Sequence, residues 1–397
     1  MAAPPRILDA DSHVSEPHDL WQRYLEPAFR ERAPRLRQRA LHWANDAGAL
    51  ARLHLTGTAP EDAERRSRVT WEVEGETVWD GIPEGLWERG EVHARTHFPE
   101  AVEAGFDAAS HVAFLQRMGI ERTFLYPTLG LWLFAVDGMD PAFAAALVRA
   151  YNDWLRDFCA QAPGVLNPVG ALCRHSPEAM VEELRRVAGW GWRAVMVRPN
   201  PVGGRILSHP AYEPFWSECE RRGVAVAIHE GTHARVPAAG NDRFRTRFAR
   251  HACSHPMEQM MALLALIEGG VLERHPALRV AFLEAGCGWL PYWLWRLDTL
   301  EYENLGWEVS ENVRMKPSDY FRRQCFISCE PGEPGLREVV DLVGEGCLLY
   351  GSDYPHIDHA PHVQEDAALL SKRLSPETAR RILWSNPHRF YGLNRGD

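Results

Sequence analysis

Five side chains of the kinds that bind metal ions stand where short apolar runs of the sequence end. They are Asp11, His13, His229, Glu284 and Asp353. A short apolar run bounded by turn residues suits a buried strand of a parallel sheet, so these polar groups mark strand ends. Imidazole and carboxylate groups without a thiolate suit zinc, manganese or iron, and an excess of carboxylates favours the oxygen-preferring members of that series. The pattern therefore predicts a metal site.

Three further positions near these residues could contribute to the site. Asp11 and His13 are two residues apart and so share one face of a strand. Glu16 has two open roles: it ligates the metal, or it caps the turn and orients His13. His255 stands three residues before Glu258, which puts both on one helical face. We expect His255 at the site, with a helix N-cap role as the alternative.

Several polar residues near other predicted strand ends also have open roles. His356 and His359 follow Asp353, where each suits a proton shuttle or a histidine in a solvent-exposed loop. Arg198 and Asn200 end another apolar run and are predicted to bind an anionic group of a substrate. For Glu330, direct metal ligation and support of a ligand are both open.

These residues can meet only if eight short strands bring their ends together. The candidate strands span residues 6–11, 121–127, 165–172, 193–199, 224–229, 278–284, 324–329 and 347–351. Helical patterns lie between most of them, and several begin with proline, as in 141–160, 177–188 and 256–272. Eight strands alternating with helices predict an α/β fold, a (β/α)8 TIM barrel, whose sites form at the C-terminal ends of the strands. The first and last strands must then be neighbours, as they are in a closed barrel.

The length of 397 residues suits one barrel with additions, so residues 1–397 are predicted to form a single domain. Residues 20–110 form a polar insertion after the first strand, with a hairpin predicted around Thr70–Trp79. An insertion there emerges at the catalytic face of a barrel. We therefore predict a cap over the site, with an oligomer contact as the alternative.

Composition excludes several classes of function. The formal net charge is -10 without any basic block, so no nucleic-acid partner is expected. No apolar stretch is long enough for a membrane span, and residues 1–6 lack the apolar core of a signal peptide. We expect a soluble, cytoplasmic protein with no membrane partner. The eight cysteines are scattered and are expected to be reduced core residues.

The chain resembles the amidohydrolase-related barrel family that includes aminocarboxymuconate semialdehyde decarboxylase and resorcylate decarboxylases. The resemblance extends over nearly the whole chain outside the insertion. It implies that Asp11, His13, His229 and Asp353 bind one divalent metal ion, and that the protein is a homodimer. Two positions differ from the decarboxylases: Asp11 replaces the first histidine ligand, and Glu284 stands where they carry an acid/base histidine.

These two differences raise the number of carboxylates above what one divalent ion neutralises, and unpaired buried carboxylates are unfavourable. A second cation, held with the help of His255, would relieve that repulsion. Mixed carboxylate and histidine ligands are those of di-iron sites. In this respect the chain is similar to a non-haem di-iron monooxygenase branch of these barrels, typified by a diterpenoid hydroxylase of platensimycin biosynthesis.

This second resemblance predicts an O2-dependent monooxygenase, an oxidoreductase of antibiotic biosynthesis that hydroxylates an apolar small molecule. It would use an electron donor, and a coenzyme A thioester is one option for its substrate. The predicted catalytic residues are Glu284, His255 and His356. Two iron ions would be bound by Asp11, His13, His229, His255, Glu284 and Asp353, with Glu16 as a further candidate. The alternative is a hydrolase or decarboxylase with one zinc or manganese ion, in which Glu284 or His255 is the base.

Overall fold

The computed structural model describes residues 5–40, 67–77, 84–232, 234–357 and 362–393. Its strands are β1 (Leu8–His13), β2 (Arg35–Ala40), β3 (Ser67–Val73), β4 (Glu76–Thr77), β5 (Arg122–Tyr126), β6 (Leu166–Ala171), β7 (Ala194–Val197), β8 (Ala225–His229), β9 (Val280–Leu283), β10 (Cys325–Ser328) and β11 (Leu348–Leu349). Its α-helices span Leu20–Tyr24, Glu84–His97, Pro99–Glu103, Ala108–Met118, Gly130–Leu133, Pro141–Cys159, Pro177–Gly189, Glu213–Arg222, Arg247–Glu268, Val271–Arg274, Leu290–Trp295, Glu303–Leu305, Pro317–Gln324, Leu336–Val343, Val363–Arg373, Pro376–Arg380 and Asn386–Tyr391. Short 3-10 helices span Pro27–Arg32, Pro210–Tyr212 and Gly306–Val309, and π-helices span Arg296–Tyr302 and Arg381–Ser385.

Eight of these strands form one parallel sheet, in the order β1, β5, β6, β7, β8, β9, β10 and β11. The two outer strands of this order meet, because Ala10 N donates a hydrogen bond to Tyr350 O at 2.9 Å and Asp353 N donates to Asp11 O at 2.9 Å. The sheet therefore closes, with helices between successive strands. The predicted (β/α)8 barrel is confirmed.

Each of the eight predicted strands overlaps a strand of this barrel. The reason is that a strand covered on both faces is largely apolar, as β7 and β9 are, although β1 and β6 also contain polar residues. Every residue of β7 and of β8 is buried. The strands therefore supply the core, and their polar successors lie at the barrel mouth.

Two long helices begin at a proline, as predicted. Asp140 precedes Pro141 and Ser176 precedes Pro177, and both polar side chains accept a backbone N–H of the following turn. Proline is well suited to this position because the N–H that it lacks would have no partner within the helix.

The helix predicted to begin at Pro256 begins instead at Arg247, so that prediction is wrong. The Thr246 side chain caps this helix by accepting from Ala249 N at 3.2 Å, and Pro256 lies within it. Proline inside a helix removes one backbone hydrogen bond and crowds the carbonyl four residues earlier, yet this helix continues through Pro256 to Glu268. His255 is consequently a residue of the helix interior and not its N-cap.

The described part of the insertion contains a second, antiparallel sheet in the order β2, β3, β4. The pairing of β3 with β4 confirms a hairpin at the predicted place, although residues 78 and 79 lie outside the described ranges. Arg32 joins the insertion to the barrel, since it contacts Glu74 at 2.7 Å and Asp140 at 2.8 Å. The cap role of residues 20–110 and the single domain stay predictions.

Within the described residues, no helix has both the length and the apolarity that crossing a membrane requires. All eight cysteines are free, as expected, and Cys253 alone among them is not fully buried.

Candidate metal centre

The C-terminal ends of β1, β8, β9 and β11 bring the five predicted metal-binding side chains together. His13 Nε2 lies 3.5 Å from Asp11 Oδ1 and 3.2 Å from Asp353 Oδ1. His229 Nε2 lies 3.6 Å from Asp11 Oδ1 and 3.1 Å from Glu284 Oε2. Ligand atoms of Asp11, His13 and His229 all lie within 4.8 Å of one another, close enough to share one ion.

The histidine tautomers fit a metal site. His13 Nδ1 lies 2.9 Å from the carbonyl oxygen of Pro127, and His229 Nδ1 lies 2.7 Å from that of Glu230. A carbonyl can only accept, so each Nδ1 carries the proton and each Nε2 presents its lone pair to the centre. Metal-binding histidines are usually held in this way through their other ring nitrogen.

Three buried atoms at the centre have no hydrogen-bond partner among the described residues: Asp11 Oδ1, His13 Nε2 and His229 Nε2. Buried polar atoms are nearly always partnered, so three unpartnered acceptors facing one space indicate a missing cation. Two carboxylate and two imidazole donors, with Asp353 as the fourth, fit a divalent ion such as manganese or zinc.

Burial and mutual charge shift the pKa values of these groups. Burial raises the pKa of Asp11 and lowers the pKa of His13 well below its usual range. For His229, burial acts in the opposite direction to the nearby Asp11 and Glu284 carboxylates, which raise its pKa to about 9.

Glu284 lies between two histidines. Its Oε2 is 3.1 Å from His229 Nε2, and its Oε1 is 3.4 Å from His255 Nε2. Burial favours the neutral acid, but the charges of His229 and His255 prevail and hold the pKa of Glu284 well below its usual range. Glu284 is therefore an ionised carboxylate that can accept a proton or approach the metal.

The backbone at the mouth is strained at two of these residues. Glu284 has φ 52° and Asp353 has φ 51°, in the left-handed region that non-glycine residues rarely adopt. Such conformations cost about 1–3 kcal/mol and cluster at functional sites. Gly351 is required nearby, because a Cβ there would lie 2.5 Å from Asp11 Cβ.

Two predicted site histidines lie beside the ligands. His356 Nδ1 is 2.7 Å from Asp353 Oδ1, and its Nε2 is 2.9 Å from Thr128 Oγ1. His255 Nδ1 is 3.2 Å from Thr232 Oγ1, which leaves its Nε2 to face Glu284. His359 lies outside the described residues.

Glu16 uses both carboxylate oxygens on the backbone. They accept from Leu129 N and Gly130 N, each at 2.9 Å, at the start of the helix Gly130–Leu133. Of the two roles left open for Glu16, this geometry favours capping over metal ligation. Neither Glu16 nor Glu330 belongs to a group of converging metal-binding side chains in the described chain.

Arg198 and Asn200 lie in a buried network behind the site. Arg198 donates to Glu230 at 2.9 Å, to Leu131 O at 2.9 Å and to Asn200 Oδ1 at 3.1 Å. All three guanidinium nitrogens therefore contact protein atoms. The substrate-binding role of both residues stays a prediction, and the observed contacts support a structural one.

Sequence reasoning missed the residues that hold the site from behind. Asp9 accepts from Ser352 N at 2.9 Å and from Ser352 Oγ at 2.6 Å, which joins the two strand ends that carry Asp11 and Asp353. Its spacing of two residues from Asp11 was a usable signal, but the pairing of β1 with β5 is irregular between Asp9 and Ser12, which a pattern of alternation does not reveal. Glu230 directly follows His229, but nothing local indicates its pairing with Arg198.

Comparisons with known proteins agree on the family. The sequence model of the amidohydrolase family matches residues 77–393. The chain is 27% identical over 267 residues to 2-amino-3-carboxymuconate-6-semialdehyde decarboxylase of Dictyostelium discoideum, covering 67% of this chain and 70% of that one. It is 29% identical to 6-methylsalicylic acid decarboxylase of Penicillium expansum, covering 61% and 74%. A dihydroxybenzoic acid decarboxylase from a Polaromonas species, solved with bound manganese, has a similar fold, with a TM-score of 0.63, 18% identity and 98% of each chain covered.

The two relatives from Dictyostelium discoideum and Penicillium expansum contradict the predicted di-iron monooxygenase, because both are named decarboxylases. The prediction of iron, of an oxidoreductase and of antibiotic biosynthesis fails with it. Its physical premise was that the carboxylates exceed the charge of one cation. The structure places Glu284 Oε2 3.1 Å from His229 Nε2 and Glu284 Oε1 3.4 Å from His255 Nε2, so the carboxylate that was counted toward a second metal ion has histidine partners within the protein.

The family model covers far more than half of the chain. The closed eight-stranded barrel, which carries histidines and carboxylates at its mouth, is consistent with this family. The chain belongs to the amidohydrolase family.

Proposed function

We propose that this protein is a decarboxylase that binds one divalent metal ion and acts on a small carboxylic acid. The observation that carries the proposal is the convergence of Asp11 Oδ1, His13 Nε2 and His229 Nε2, buried and without partners among the described residues. Decarboxylase relatives from two eukaryotes support the reaction class. Manganese or zinc is the proposed ion.

Four residues would hold this ion: Asp11, His13, His229 and Asp353. When bound, a divalent cation supplies Lewis-acid polarisation and orientation of substrate oxygen atoms. The protein provides the rigid frame, because the Nδ1 atoms of both histidines are fixed by backbone carbonyls.

Decarboxylation replaces a C–C bond to the carboxyl group with a C–H bond, so the site must deliver one proton to carbon. We assign this proton to the pair formed by His255 Nε2 and Glu284 Oε1, which are 3.4 Å apart. Glu284 Oε2 lies 3.1 Å from the proposed ligand His229, so Glu284 adjoins the centre, and His255 contacts the other oxygen of Glu284. His255 holds the proton and Glu284 passes it forward, a general acid role that is usually worth about 10²–10⁴ in rate.

A second reaction is favoured by one observation. Glu284 is ionised and its Oε2 lies 3.1 Å from Nε2 of the proposed ligand His229, so a proton acceptor adjoins the position where a hydrolase would hold its water. The same protein preparations can be tested for hydrolysis of esters and lactones.

The test uses the full chain loaded with Mn²⁺ and a panel of aromatic and unsaturated carboxylic acids with a hydroxyl group beside the carboxyl. We expect CO2 release, and incorporation of one deuterium at the vacated carbon in D2O. Glu284→Gln is the matched control, since it keeps the shape but cannot carry the proton. Turnover of esters without CO2 release would favour the hydrolase, and inactivity of the Mn²⁺ form toward every acid would overturn the decarboxylase.

We also propose that the protein is a homodimer that acts on a small molecule. Light scattering of the purified protein tests the dimer, and the panel of acids tests the substrate.

A further inference from the structure

Glu333 lies in the loop after β10 and reaches across to the loop after β9. Its carboxylate accepts from Cys287 N, at 2.9 Å to each oxygen, and from Gly288 N at 2.5 Å. The Cys287 thiol donates to the same carboxylate at 3.2 Å. These donors belong to the segment that follows Glu284 directly and leads into the helix Leu290–Trp295.

The loop is wrapped around this carboxylate so closely that side chains are excluded. A Cβ on Gly286 would lie 2.7 Å from Glu333 Oε1, and a Cβ on Gly288 would lie 2.9 Å from the same atom. Gly286 also has φ 62°, a conformation that glycine adopts freely. Successive backbone N–H groups arranged in this way form a concave site for an anion. In this chain, a carboxylate of the protein itself fills it.

A second contact holds the first residue of the loop. Glu284 N donates to Ser328 Oγ at 3.0 Å, and Ser328 is the last residue of β10. Glu284 has the unfavourable φ of 52°, so its backbone stays there only because the surroundings fix it. Ser328 ends the neighbouring strand β10, and Glu333 lies in the loop that follows it, so both side chains that hold this segment come from one place in the fold.

We propose that Glu333 is a positioning residue for the reaction: by holding residues 286–288 it keeps the Glu284 carboxylate between His229 and His255. Glu333 does not touch the reacting atoms and acts through Glu284. This inference rests on the proposed function, because it assigns to Glu333 the alignment of the proton-transfer pair.

The test is a double-mutant cycle on the Mn²⁺-loaded chain with Glu333→Ala, Glu284→Gln and the combination of the two. Misplacement of a reacting group by about 1 Å costs roughly 100-fold in rate, so we expect Glu333→Ala to lower kcat about 10- to 100-fold while KM and metal content change little. In the Glu284→Gln background the same change should alter the residual rate less than about 3-fold, since coupled residues are not additive. Additive losses would overturn the proposal, because a general structural defect lowers kcat by the same factor with Glu284 and with Gln at position 284.

Two further variants keep the result decisive. Glu333→Gln retains one acceptor oxygen and should recover part of the lost kcat. If Glu333→Ala does not fold, Glu333→Gln replaces it in the cycle, and Ser328→Ala, which removes the other contact to the Glu284 backbone, is measured beside it.

Failure of the proposed function is separable from failure of this inference. If the wild-type chain decarboxylates no acid, the same cycle is measured from Mn²⁺ dissociation constants, because Glu284 adjoins His229. Coupling between Glu333 and Glu284 then still supports positioning, and additivity overturns it.

Discussion

His229 illustrates how single residues define the metal centre, since its Nδ1 is fixed by a carbonyl and its Nε2 has no hydrogen-bond partner among the described residues. We expect His229→Gln to weaken Mn²⁺ binding by roughly 100-fold or more, because even residues that only support a metal ligand are worth 10- to 100-fold. Isothermal titration of the metal-free protein measures the change. His275→Gln is the control: His275 lies between Glu213 and Glu220, away from the centre, and Mn²⁺ affinity should be unaffected.

Glu16 provides the opposite case, a carboxylate that was a candidate metal ligand but accepts hydrogen bonds from two backbone N–H groups. Glu16→Gln would place an amide N–H₂ against one of the two backbone donors, Leu129 N or Gly130 N. An unsatisfied buried donor costs about 1–3 kcal/mol, so the free energy of unfolding should fall by that amount. Metal content should stay at the wild-type level. Loss of Mn²⁺ from this variant, measured by elemental analysis, would instead make Glu16 a ligand.

Among the elements, the helix Arg247–Glu268 carries a buried carboxylate whose ionisation opposes folding. Glu258 is 3% exposed, and burial together with Glu230 raises its pKa from 4.5 to about 7. Glu258 therefore binds its proton more tightly in the folded protein than in the unfolded chain. The free energy of unfolding consequently falls as the pH rises between about 4.5 and 7.

Glu258→Gln removes this dependence and keeps an oxygen for Ala239 N, which donates to Glu258 at 2.6 Å. We expect the free energy of unfolding of the variant, relative to that of wild type, to be about 1–3 kcal/mol more favourable at pH 8 than at pH 5. Thermal unfolding at both pH values measures it. Glu268→Gln, at an exposed position of the same helix, is the control, and an equal difference at both pH values for Glu258→Gln would contradict the argument.

The elements also show what the sequence could and could not predict. Strand ends were predictable because barrel strands such as β7 and β9 are continuous apolar runs, and the residues after such a run face the mouth. The helix around Pro256 was mispredicted because proline usually marks a first turn, while the true cap, Thr246, stands in a polar loop without distinctive spacing. The role of Glu16 depends on donors 113 and 114 residues away, which no local pattern reveals.

The charge balance of the site was beyond sequence reasoning for a similar reason. Counting carboxylates suggested a second cation, but Glu284 lies within 3.4 Å of His255 and 3.1 Å of His229. The distances between groups, and not their number, decide whether a cation is needed. The same dependence on three-dimensional contacts hid Glu333, whose partners are 45 and 46 residues away.

For the molecule as a whole, the barrel closes where β1 meets β11, and the metal centre spans that closure. Asp9, fully buried, accepts from Ser352 and from Asp11 N at 3.2 Å, so one carboxylate joins both edges. We therefore expect this carboxylate to affect both the stability of the barrel and metal binding.

We expect Asp9→Ala to lower the free energy of unfolding by roughly 2–4 kcal/mol, because it leaves several buried donors without a partner. It should also weaken Mn²⁺ binding about 10- to 100-fold, since Asp11 and Asp353 lose their common support. Thr123→Val on the adjacent strand β5 is the matched control: Thr123 is equally buried, but its hydroxyl has no hydrogen-bond partner among the described residues, so both quantities should stay near wild type. Denaturant unfolding and Mn²⁺ titration measure the two effects. A large loss of stability with unchanged Mn²⁺ affinity would mean that the ligands hold their places without the closure, and that barrel stability and metal binding are independent.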